Sequence, residues 1–103
     1  MGYNLVITAK AEADLDDIVS YIINDLCNIP AAINLIDEIT ERYSIIENTP
    51  FAYPLCRQPL LSSRFYRKVI INSYLMIFRV DEATATVYIE RFFSQIQSYE
   101  DMI

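Results

Sequence analysis

The segment RFYRKVIINSYLMIFRV, residues 64–80, carries Arg64, Arg67, Lys68 and Arg79 and no acid, in a chain of 103 residues with formal net charge −6. A solvated surface scatters its charges. Cations gathered on an apolar, strand-like run suit an anion, either a carboxylate or a phosphate, which arginine grips as a two-pronged fork. Adjacent strand residues point to opposite faces, so Arg67 is expected beside Phe65, Val69 and Ile71, and Lys68 beside Tyr66 and Ile70. Arg79 and Arg91 fall on neighbouring strands, where they could meet across the sheet or each close an internal salt bridge. The plainer alternative is that these long side chains cover apolar surface and keep their heads in water, or that Lys68 blunts an edge strand. Tyr66, Tyr74 and Tyr99 could reach such a site. Tyr3, Tyr21, Tyr43 and Tyr88 sit in stripes and strands and read as structural.

The missing residue types narrow the chemistry further. The chain has no histidine, the side chain that most readily exchanges a proton at neutral pH. Its two cysteines, Cys27 and Cys56, form neither a CxxC pair nor a disulfide framework. No metal or other cofactor is expected. Residues 1–56 hold two cations and nine acids, whereas residues 57–103 hold six cations and five acids. This balance excludes general coating of nucleic acid but allows one local anion site, or a dock for an acidic partner segment. The start MGYNLVITAKAEADL lacks a basic stretch followed by a long apolar run, and no apolar run reaches the ~20 residues of a membrane span. A cytoplasmic protein with no membrane association is expected.

The elements that must position these residues follow from periodicity. Residues 3–7 read as a strand, and Thr8 as the cap of a helix whose stripe is Ala11, Leu15, Ile18, Val19, Ile22, Ile23 and Leu26. Asn28 and Pro30 punctuate the chain before a second stripe, Ile33, Ile36, Ile39, Tyr43 and Ile46. Residues 48–63 contain Pro50, Pro54 and Pro59 and form a long connection. Strands are expected over about 64–71, 74–80 and 85–92, joined by a tight turn at 72–73 and a slightly longer hairpin loop at 81–84. One α+β domain over residues 1–103 results: an N-terminal strand, a helical hairpin, then a three-stranded antiparallel meander, in two layers. The sheet as a whole is expected to be antiparallel.

Three quoted stretches, in this order, resemble the RelE/ParE superfamily of toxins from type II toxin–antitoxin (plasmid stabilisation) systems. YNLVITAKAEADLDDIVSYI resembles the family's opening strand and first helix, with Ala11, Asp14, Leu15, Ile18, Tyr21 and Ile22 on its pattern. NIPAAINLIDEI resembles the start of its second helix, and YRKVIINSYLMIFRVDEATATVYIERFF its strand core. The likeness spans nearly the whole chain.

The resemblance implies a toxin neutralised by a cognate antitoxin, with either DNA gyrase or the ribosome and its mRNA as target. A homodimer is the other assembly considered. Arg64, Arg67, Lys68, Arg79 and Arg91 are the expected contacts for antitoxin or target; Arg67, Lys68 and Tyr74 are the only catalytic candidates. Ribonuclease members draw on sheet cations and on a basic or histidine-containing stretch after the last strand. In this chain Leu75 stands where they often place an arginine, and Ser94, Gln95 and Gln97 occupy the final stretch. A ParE-like gyrase inhibitor therefore fits better than a ribosome-dependent endonuclease, the alternative, or than a non-toxic domain that only binds antitoxin.

Overall fold

The computed structural model describes residues 2–56 and 65–94. The chain opens with strand β1 (Asn4–Ile7), helix α1 (Ala9–Ser20) continued by a π-helical turn (Tyr21–Asp25), and helix α2 (Ile29–Asn48). A short 3₁₀ turn (Pro50–Ala52) leads towards strands β2 (Arg67–Ile71), β3 (Tyr74–Asp81) and β4 (Thr86–Ser94). The expected order of strand, helical hairpin and three-stranded meander is the observed one.

Thr8 stops β1 and starts α1. Its Oγ1 accepts from the amide of Ala11 at 3.1 Å and donates to the carbonyl of Glu90 at 3.1 Å. One hydroxyl therefore caps the helix and ties it to β4. Thr8→Ala is expected to lower stability by about 1–2 kcal/mol, read as a melting point roughly 4–16 °C lower. Thr8→Ser should restore it, and an Ala variant that melts with the parent would remove the cap from the account.

Sequence and structure part company inside the hairpin. After Ser20 the helix widens: the amide of Leu26 bonds the carbonyl of Tyr21, five residues back. The wider turn keeps Ile22 buried but swings Ile23 and Leu26 out to solvent. On α2 the buried stripe is Ala32, Leu35, Ile39 and Ile46, not the run through Ile33 and Ile36, which are exposed. Either stripe fits the helical period. The real one puts small Ala32 where α2 enters the core. Asn28 caps α2, its Oδ1 accepting from the amide of Ala31 at 3.1 Å, and Pro30 lies in the first turn. Burial, with Glu12 adding its charge, pushes the Tyr43 hydroxyl up to about 12, so it stays protonated.

The four strands form one sheet in the order β1-β4-β3-β2. β2, β3 and β4 are antiparallel neighbours, but β1 pairs parallel to β4, with Asn4 opposite Thr86 and Ile7 opposite Ile89. The expected all-antiparallel sheet is thus corrected at its β1 edge. This pairing spans the length of the chain, and local pattern carries no signal for it.

The main core lies between the helices and one sheet face. Ala11, Ile22, Leu35, Ile39 and Ile46 meet Val69, Ile71, Met76, Phe78, Val87, Ile89 and Phe92. On the opposite face Leu75, Ile77 and Phe93 are buried with Cys56 and the half-buried Tyr66. Cys56 is held there because its amide bonds the carbonyl of Tyr66 at 2.9 Å, while Leu55 bridges to Arg67. No helix among the described residues is long and apolar enough to cross a membrane.

Candidate functional site

The register of β3 on β4 slips by one residue. Ile77 lies opposite Arg91 and Phe78 opposite Ile89, so Glu90 is left over as a bulge. A bulge re-aims side chains, and of the two arrangements open to Arg79 and Arg91 the structure has each close an internal salt bridge. Arg79 lies opposite Tyr88, its guanidinium 4.3 Å from that ring's centre, and its Nε donates to Glu90 Oε2 at 2.7 Å. Arg91 turns to helix α1 instead: its Nε donates to Asp14 Oδ2 at 2.6 Å and its Nη2 to Asp14 Oδ1 at 3.1 Å.

Asp14 does more than balance that charge. Its Oδ2 also accepts from the amide of Phe92 at 3.1 Å. β1 ends at Ile7, opposite Ile89, so beyond that point the edge of β4 has no strand beside it. Thr8 satisfies the carbonyl of Glu90 and Asp14 the amide of Phe92. Helix α1 thereby closes the sheet edge that β1 leaves open. The hydrogen bond to Asp14 raises the Arg91 pKa, against the opposing effect of burial.

Arg67 and Lys68 keep their charges uncommitted: neither has a carboxylate partner among the described residues. Arg67 sits on the helix side, sharing the face of Val69 and Ile71 as expected. Phe65, however, precedes the strand in a turn with φ 63°, so strand alternation does not reach it. The Arg67 Nη1 donates to the carbonyl of Tyr53 at 2.6 Å, and its guanidinium lies 5.0 Å from the centre of the Phe51 ring. Lys68 faces the other way. It borders a recess of about 380 Å³ with Arg42, Tyr53, Pro54, Val69 and Ile70.

Tyr74 packs on the helix-side core, opposite Ile71. It therefore lies on the other face from Lys68, and four strand positions from the level of Arg67, about 13 Å along the sheet. The three catalytic candidates do not converge. Leu75 is buried with Ile77 and Phe93 on the face away from the helices. Arg64, Gln95, Gln97 and Tyr99 lie outside the described residues.

Two features were not visible in the cation pattern. Phe51, in the proline-bracketed run TPFAYP, and Phe65 are both exposed beside Arg67. The hairpin also presents an outward apolar strip, Leu26, Ile29, Ile33 and Ile36, with Ile33 56% exposed. The i, i+4, i+7 spacing of the three isoleucines was legible; its outward direction was not. No cluster of metal-ligating side chains occurs among the described residues.

Comparison with known proteins finds the same fold. A search of curated proteins finds no sequence match. Among solved structures, the chain is similar to a chain of the chromosomal ParDE toxin–antitoxin system from P. aeruginosa, with TM-score 0.69 and 21% identity over 89% of this chain and 95% of that one. It is also similar to a chain of the RelBE2 toxin–antitoxin complex from Mycobacterium tuberculosis, with TM-score 0.56 and 16% identity over 91% of this chain and 99% of that one. The family model described as ParE toxin of type II toxin–antitoxin system, parDE, matches residues 5–99. With that match covering almost the whole length, the chain belongs to the ParE toxin family of type II toxin–antitoxin systems.

Proposed function

We propose that this toxin acts by inhibiting DNA gyrase and is held inactive by a cognate antitoxin. The observation that carries the choice of target is the sheet face away from the helices. Ribonuclease members of the wider superfamily draw on sheet cations to hold phosphate; here Leu75, Ile77 and Phe93 with Cys56 fill the middle of that face, and Lys68 on the edge strand β2 is its one uncommitted cation among the described residues. A buried leucine offers no stabilisation to a developing oxyanion. Binding to a protein target needs no such charge.

The antitoxin half of the reading is supported by the strip Leu26, Ile29, Ile33 and Ile36. Contiguous exposed apolar residues of this kind mark surfaces that a partner covers, and an amphipathic helix laid along the hairpin is the mode that fits.

The test is gyrase-dependent supercoiling of relaxed plasmid with the purified chain, alongside induction in cells with and without the adjacent gene. Supercoiling should fall as toxin is added, and growth arrest should be relieved by the neighbour. Arrested growth with gyrase fully active would reject the target. Arrest that the neighbour leaves unrelieved would reject it as the antitoxin.

A further inference from the structure

A cavity of about 460 Å³ opens where the start of β2 meets the end of β3, lined by Phe51, Phe65, Arg67, Arg79, Val80, Asp81 and Glu82. Its volume lies within the range of small-ligand sites, which pair apolar walls with a few directed polar groups. We infer that this pocket takes a short peptide segment in which an apolar side chain is followed by a carboxylate, from a partner protein rather than from nucleic acid. The inference deepens the antitoxin reading by giving the partner segment a chemistry, and rests on that reading only for which protein supplies it.

The walls decide the apolar half. Phe65 is 68% exposed and Phe51 47% exposed. Phe65 is held with φ 63°, a region that costs a bulky residue of order 1–3 kcal/mol. The fold thus keeps a large ring in solvent on a strained backbone, beside a second exposed ring and a cation. A side chain entering between the rings would remove apolar surface from both.

The polar half follows from what each charge already does. Arg79 is engaged by Glu90 and seated on Tyr88. Asp81 Oδ1 accepts from the amide of Ala83. Arg67 spends one N–H on the carbonyl of Tyr53 and rests its face on Phe51, which leaves N–H donors and a full charge for an incoming anion. A single carboxylate matches that single cation. A polyanion does not, because Asp81 and Glu82 border the same opening and the chain as a whole is net −6. Stacking on Phe51 presets the plane of the guanidinium, so little side-chain freedom is lost when the fork closes on a carboxylate.

The experiment is an NMR titration of the ¹⁵N-labelled full chain with four probes: acetyl-Phe-Glu-amide, its neutral twin acetyl-Phe-Gln-amide, inorganic phosphate, and a single-stranded oligonucleotide. The expected result is saturable shifts at the amides of Phe51, Phe65, Arg67 and Glu82 with the glutamate peptide. Binding should be weaker by about tenfold or more for the glutamine twin, since a hydrogen bond to a charged group is lost. Phe65→Ala, which removes an exposed ring with no packing role in the core, should weaken the glutamate peptide while leaving the rest of the spectrum in place. Arg67→Gln should make the two peptides equal. Equal binding of both peptides to the parent, no shifts at these amides, or tighter binding of phosphate or oligonucleotide than of the peptide would each overturn the inference. None of these results depends on the gyrase or growth assays, so the two readings fail separately.

Discussion

Added to translating ribosomes, the purified protein is expected to leave A-site codons uncut, at a rate on the order of 10²-fold or more below that of a nuclease with its charged donors in place. The physical case has three parts. Proton transfer to and from ribose and leaving group needs a side chain that titrates near neutrality, and the chain has no histidine. Tyr43 does not substitute, because burial pushes its hydroxyl up to about 12. The cations are also dispersed or engaged: Arg91 is gripped by Asp14 and Arg79 by Glu90. Lys68 and Tyr74 lie on opposite faces of the sheet, and Leu75, at the position where ribonuclease members often place an arginine, is buried. Primer extension on message recovered from the ribosomes checks this directly. Strong A-site stops that vanish on Lys68→Ala would show that one sheet lysine suffices.

Asp14→Ala is expected to destabilise the fold by about 2–4 kcal/mol, a large fraction of the margin of a small domain. Both side chains of the Asp14–Arg91 pair are less than one-fifth exposed, at 19% and 17%, so solvent screens the pair weakly. The substitution removes the carboxylate from the Arg91 fork and the acceptor from the amide of Phe92. It does so at the point where helix α1 substitutes for a missing strand. Asp14→Asn keeps an acceptor for the Phe92 amide and loses the charge, and should fall between parent and alanine variant. Replacing the pair together, with Asp14→Leu and Arg91→Met, should recover part of the loss, because no charge is then left without its partner. Urea unfolding measures all four proteins. An alanine variant within about 0.5 kcal/mol of the parent would place Asp14 among ordinary surface acids.

That acid shows where reading a sequence stops. In the linear chain Asp14 is one of several carboxylates in the early turns of a helix, where the helix dipole favours negative charge. The family resemblance puts Asp14 on a shared pattern, but no local physical signal separates it from Asp16 or Asp17. Its role comes from residues 77 and 78 positions away, and from β1 ending early enough to leave the β4 edge open.

The elements themselves were legible because each rests on short-range physics. Thr8 and Asn28 cap helices through amides three residues on. The runs that became β2, β3 and β4 carry the β-branched and aromatic residues of half-buried strands, and Asn72, with φ 54°, supplies the tight turn between the first two. From these alone the order strand, hairpin, meander follows, and with it the two-layer fold.

Tertiary structure decided which way surfaces face and which charges remain free. Ile33 and Ile36 obey helical spacing as well as Leu35 and Ile39 do, and only packing against the sheet turned one stripe inward and left the other to solvent. Arg67, Arg79 and Arg91 look alike in the sequence. A one-residue slip between β3 and β4 leaves Glu90 as the extra residue beside Arg79 and sends Arg91 to Asp14. Arg67 is left beside two exposed phenylalanines with its charge unspent. Composition set how many cations the chain has; register, a long-range property, set what each can still bind.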